Sequence, residues 1–322
     1  MNFDVEYSNY VMESFEFESG RILNNVDVEY WVNGTPKYDN EGNIINAVVY
    51  CPTLKGRNSI FAKSHDMIHE ASITDFFFIK ITALGAPNSC SPSSSGLKYD
   101  FPHYTVKDRV NFKRQFLEEK FNIKKVAGII GEGVGGFEVY TWASEYPNDV
   151  EFIITLNTTF KTYGYRYVML NVADAIIDSS DDFYVDGYSV SISKLIVVIS
   201  RLLFVGYFPK NVFEELSNEE IDVLMGDYVD ENLFMDIYDF KSRNDCLLEY
   251  DVSDKLENIE AKALIMGLSD YFFFNDEKDV LPLKDLIKNS KIALFSEKES
   301  FYDEDDYKDI GLEIISFLKQ FK

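Results

Sequence analysis

The chemistry-bearing part of this chain is a run of glycines. It reads Gly131-Glu132-Gly133-Val134-Gly135-Gly136, after the apolar residues 126–130 (VAGII) and before a helix-like stretch, 137–146. A strand, a tight turn and a helix serve two kinds of site. One is a dinucleotide loop, and G-x-G-x-x-G does match literally from Gly131. That loop normally opens the first βαβ unit, with an acid closing the following strand. Here several strand-like segments come first, and the next strand ends in Asn157-Thr158-Thr159, without an acid. The other is a nucleophile elbow, G-x-S-x-G, which holds its central residue in a strained turn above the sheet and needs small neighbours. Gly131, Gly135 and Gly136 supply them, but the central residue is Gly133. Glycine takes a positive φ without a Cβ penalty, and it carries no oxygen to attack with.

The other reactive side chains do not assemble a familiar site. Glu132 flanks the apex and could act as an acid or base, or be a plain solvated charge. The three histidines, His65, His69 and His103, all precede the glycine run, whereas in elbow folds the base comes late in the chain. His65 and His69 are spaced i, i+4. With no acid or cysteine added nearby, they read as a solvated helix face rather than a metal pair. Cys51, Cys90 and Cys246 are too few and scattered for disulfides or zinc, so no metal is expected.

The elements that must position the glycine run are legible around it. Residues 15–17 and 26–32 alternate like strands. Residues 47–51, 75–81, 126–130, 151–156, 263–267 and 292–295 are short apolar runs, as in strands buried on both faces of a parallel sheet. Helix-like segments at 106–121, 137–146 and 311–321 stand between or after them. This alternation predicts an α/β fold with a mostly parallel sheet flanked by helices. Residues 160–250 break the rhythm and read as a helical lid over the strand ends. The core is then 1–159 and 251–322.

Composition narrows the function further. Of 322 residues, 46% are hydrophobic and 16% aromatic, enough for a large core, and the formal net charge is −24. A surface this acidic repels nucleic-acid phosphates and anionic membranes, so neither is an expected partner. The first residues are polar and acidic, unlike a secretion signal. The apolar run 195–208 contains Arg201 and is too short to span a bilayer. A cytoplasmic protein is expected. That run is also too apolar for a free surface helix, which predicts a homodimer held partly by the inserted helices.

The order of segments resembles the homoserine O-acetyltransferase family over about residues 15–318. The glycine run is followed by Trp142, Glu145, Tyr146 and Pro147, like that family's G-G-S-M-G-G, E-W and Y-P. Upstream, Ala83-Leu84-Gly85, Ser91-Pro92-Ser93-Ser94, Asp100-Phe101-Pro102 and Thr105-Val106-Lys107-Asp108 follow the family's order. Asp182 to Tyr188 resembles its D-P-x-W-x-x-G-x-Y. The resemblance implies an α/β-hydrolase fold and acyl transfer from acetyl-CoA, as co-substrate rather than bound cofactor, through a serine, a histidine and an aspartate. It places the nucleophile at Gly133, the triad acid at Asp270, the histidine at Ser300, and the oxyanion-hole amides at Leu54 and Val134. The nucleophile and base are thus replaced. Two readings follow: a protein that keeps the fold for binding a small acyl or amino-acid-like ligand, or an acyltransferase or hydrolase working through non-standard residues such as Glu132 or Ser300.

Overall fold

The computed structural model describes residues 7–52, 75–185, 190–206, 210–233, 235–268, 274–295 and 304–321. Eight strands form one sheet in the order β1-β2-β4-β3-β5-β6-β7-β8. β1 (Ser8–Glu16) and β2 (Ile22–Asn33) make an antiparallel hairpin at one edge, and β2 also runs antiparallel to β4 (Phe77–Ile81). β3 (Ala47–Cys51), β5 (Val126–Glu132), β6 (Val150–Leu156), β7 (Lys262–Leu268) and β8 (Ser290–Phe295) are parallel to one another and to β4. The central strands are apolar at nearly every position because helices cover both faces.

One face packs on α1 (Val106–Phe121) and α2 (Val134–Glu145), through Phe112, Phe116, Phe137 and Trp142. A short helix, α8 (Leu283–Leu286), follows β7, and Leu283 joins the same core. The other face packs on the closing helix α9 (Glu304–Leu318) through Ile310, Ile314 and Phe317. α1 starts where a capping box forms. Thr105 Oγ1 accepts the Asp108 N–H, and Asp108 Oδ2 accepts the Thr105 N–H at 2.9 Å. Asp108 Oδ1 also accepts the Glu18 N–H at 2.7 Å, tying α1 to the end of the hairpin.

Between β6 and β7 the chain leaves the sheet for a helical block. It contains α3 (Gly164–Asp178), α4 (Val190–Leu203), α5 (Lys210–Glu215), α6 (Asn218–Asn232) and α7 (Ile237–Leu248). The block has its own core, in which Ala173, Ile177, Ile192, Ile196, Ile199 and Phe240 meet. The apolar helix α4 therefore buries one stripe within its own chain, while Val198 on it stays exposed. The two necks of the block run side by side. Val252 donates to the Phe160 carbonyl at 2.9 Å, Thr162 donates to Tyr250 at 2.8 Å, and Lys161 bridges Asp251. Among the described residues, no helix is long and apolar enough to cross a membrane.

Candidate active site

The glycine run forms the strand-to-helix turn that its sequence predicts. β5 ends at Glu132, α2 begins at Val134, and Gly133 alone makes the reversal at φ 55°, ψ −122°. A positive φ of this kind strains any residue with a Cβ. The turn is braced from below: Gly133 donates to the Leu156 carbonyl at 3.0 Å, and its own carbonyl accepts Thr158 Oγ1–H at 2.7 Å. The helix then passes hard against β3. A Cβ on Gly135 would run into the Cys51 carbonyl oxygen. Val134 is the first residue of α2, so its N–H has no acceptor within the helix. Gly133 and Val134 thus stand together at the carboxyl end of β5, with Glu132 half-buried beside them. Leu54, Asp270 and Ser300, the positions matched to the first oxyanion donor, the acid and the histidine, lie outside the described residues, as do His65 and His69.

His103 is described: its Nε2 sits 3.0 Å from Glu249 in an exposed pair. The three cysteines are buried and unbridged. Burial first, and Glu138 second, push the Cys51 thiol well above its ordinary range, so it stays protonated. Among the described residues no group of three or more His, Cys, Asp or Glu is placed to hold a metal ion.

Three features around the turn were not read from sequence. First, Glu138, one turn into α2, is fully buried and pairs with Arg109 at 2.5 Å and with Lys113, both from α1. Burial opposes its ionisation, but the two cations outweigh burial and hold its pKa below the ordinary 4.5. The i, i+4 spacing of Arg109 and Lys113 on an apolar-faced helix was the available signal. Second, Asp279, in the turn after β7, accepts Thr159 Oγ1–H at 2.6 Å, Tyr163 Oη–H at 3.0 Å and the Asn275 N–H at 2.7 Å, with Arg166 at 3.5 Å. One carboxylate therefore joins the end of β6, the start of α3 and the segment after β7. Third, the serine-rich loop is an ordered clasp. Ser93 donates through N–H at 2.8 Å and Oγ–H at 2.5 Å to Asp239 of α7.

A mainly parallel sheet with this strand order, an antiparallel edge hairpin, a glycine-braced turn after β5 and a helical block before β7 define an α/β-hydrolase-fold protein. No protein-family profile matches the sequence. It is 35% identical over 293 residues, 91% of each chain, to a probable acyltransferase from Methanothermobacter thermautotrophicus. It is 27% identical over 207 residues to a homoserine O-acetyltransferase from Sulfurimonas autotrophica, covering 58% of this chain and 55% of that one. The crystal structure of homoserine O-acetyltransferase from Staphylococcus aureus superposes with a TM-score of 0.77 at 18% identity, covering 97% of this chain and 95% of that one. The chain belongs to the homoserine O-acetyltransferase family.

Proposed function

We propose that this protein keeps the family's fold and pocket but not its acyl transfer, and that it binds a small acyl or amino-acid-like ligand. The observation behind this reading is Gly133. Acyl transfer by a ping-pong route needs an alcohol or thiol at the apex of the elbow to hold the acyl group. The apex here has the strained backbone and no side chain. Ser300, matched to the histidine, cannot take a proton from a hydroxyl at neutral pH. Losing the nucleophile or base of such a triad costs about 10⁶ in rate. The N–H of Val134, with that of Leu54, would remain to bind a carbonyl or carboxylate oxygen. Acetyl-CoA would be a co-substrate only if transfer survived.

We place the protein in the cytoplasm as a homodimer that engages neither nucleic acid nor membrane. Tyr165, Tyr167, Val168 and Val172 on α3 are exposed, and so is Val198 on α4. This apolar surface on the helical block supports self-association.

The test is turnover of acetyl-CoA and L-homoserine by the unchanged protein, by Gly133→Ser, and by Gly133→Ser with Ser300→His. The expected result is no turnover by the unchanged protein and a gain in the double variant. Turnover by the unchanged protein at about 1 per second or faster, a rate ordinary for enzymes, refutes the proposal and favours chemistry through other residues.

A further inference from the structure

At the junction between the helical block and the core, buried hydrogen-bond donors are left without partners. Tyr104 is 1% exposed, its hydroxyl lies against Gly85, and that hydroxyl has no hydrogen-bond partner. Arg109 is 4% exposed; one Nη pairs with Glu138, while its Nε is unpartnered. From the block comes Arg243 of α7, half-buried. Its guanidinium meets the Met235 sulfur at 3.8 Å and the Phe240 ring at 5.2 Å. No carboxylate among the described residues lies within ion-pair distance of it.

The helix register aims Arg243 at the same wall. Asp239, Arg243 and Cys246 are spaced i, i+4, i+7 on α7 and share a face. Asp239 is clasped by Ser93 of the loop that leads to Tyr104. Cys246 lies in the core cluster that contains Tyr104. Arg243, between them, faces that loop and α1. Burial lowers its pKa, and the Tyr104 phenol and the Arg109 cation are the next strongest influences.

Arg109 and Lys113 are both neutralised by Glu138, whereas Arg243 has no ion-pair partner of its own among the described residues. Buried polar groups left without partners are rare, and the Tyr104 hydroxyl and Arg109 Nε are two of them.

We propose that this junction is a binding site for one small carboxylate, held by the guanidinium of Arg243 with the Tyr104 hydroxyl as a further donor. The planar fork of arginine matches the two oxygens of a carboxylate. Met235 and Phe240 beside it favour a ligand with a short apolar tail over a strongly hydrated inorganic anion. The site spans the block and the core, so its occupant would clamp one to the other. It requires no nucleophile, so the binding result stands or falls independently of turnover at Gly133.

The test uses the full chain, with sodium propionate as probe and sodium chloride and sodium phosphate as comparators at matched ionic strength. Thermal unfolding and titration calorimetry are measured for the unchanged protein, Arg243→Met, Arg243→Gln, Tyr104→Phe and the distant surface variant Lys124→Met. Propionate is expected to bind saturably and raise the unfolding temperature. Either arginine variant is expected to weaken that affinity about tenfold or more, since a charge-assisted pair is removed. Tyr104→Phe should weaken it while leaving the unliganded protein as stable as before, because its hydroxyl bonds to nothing there. Lys124→Met should change nothing. The proposal is overturned by unaltered propionate affinity in Arg243→Gln, by equal stabilisation with chloride or phosphate, or by no saturable effect of propionate.

Discussion

Replacing Glu138 by glutamine should be among the most damaging conservative changes in the molecule. The substitution keeps the shape and removes one charge. Glu138 and Lys113 are 0% exposed and Arg109 is 4% exposed, so water cannot take over the lost neutralisation. The Cys51 thiol beside them is held protonated and supplies no negative charge. Two cations would be left in the core with no anion. Breaking a buried pair by removing one partner costs about 3–5 kcal/mol, whereas replacing a whole buried set by apolar side chains can be neutral or stabilising. Urea unfolding at neutral pH should show a loss of that size for Glu138→Gln, and a much smaller one for the triple change Arg109→Met, Lys113→Met, Glu138→Met. The pH dependence has a fixed sign. Burial raises the Glu138 pKa, but Arg109 and Lys113 bring it below 4.5 overall. Its stabilisation is then complete above that value and lost as pH falls through the lower, folded one. The gap between the unchanged protein and Glu138→Gln should therefore be constant near neutrality and close in acid. A loss below about 1 kcal/mol, the worth of an exposed pair, would refute the reasoning, and so would a gap that widened in acid.

Two further outcomes follow from contacts near the site. Gly135→Ala drives a Cβ into the Cys51 carbonyl oxygen, which backbone on both sides cannot yield to; the variant should lose well over 1 kcal/mol, the low end for overpacking, read from urea unfolding or absence of folded protein by circular dichroism. Asp239→Ala strips the acceptor from two Ser93 donors, so limited proteolysis should cut within residues 160–250 faster than in the unchanged chain, and equal cleavage rates would show that the clasp does not hold the block.

Where apolar pattern and backbone chemistry agreed, the sequence was read closely. Residues 47–51 and 106–121 are strand and helix with those bounds, because an apolar run ends at Pro52 and a Thr105–Asp108 capping box opens the helix. The glycine run turned as its spacing required, since only small residues fit between β5, α2 and β3. Alternation marks the first strand only at 15–17, whereas it begins at Ser8; its outer positions are polar or exposed at the sheet edge, so alternation fades there. The bounds of α3 and α7 are not legible in the sequence, because their inward faces carry Arg166, Asp239 and Asn244 and break the apolar period. Two charges of α1, Arg109 and Lys113, point inward, which the apolar pattern of the helix does not signal. Their partner Glu138 lies 25 residues beyond Lys113, a pairing no local window contains. The nucleophile position was legible as a glycine, and Asp270, Ser300 and Leu54 rested on resemblance alone.

The zipped necks of the helical block bear on how such chains diversify. With Phe160 and Val252 already hydrogen-bonded across the base, the sheet sees a closed gate whatever hangs beyond it. The entropy of closing a loop grows only slowly with its length, so an excursion of many tens of residues burdens the sheet little more than a short one. Changes of length beyond these two points, outside the contacts that α3 and α7 make with the core, then burden the sheet little.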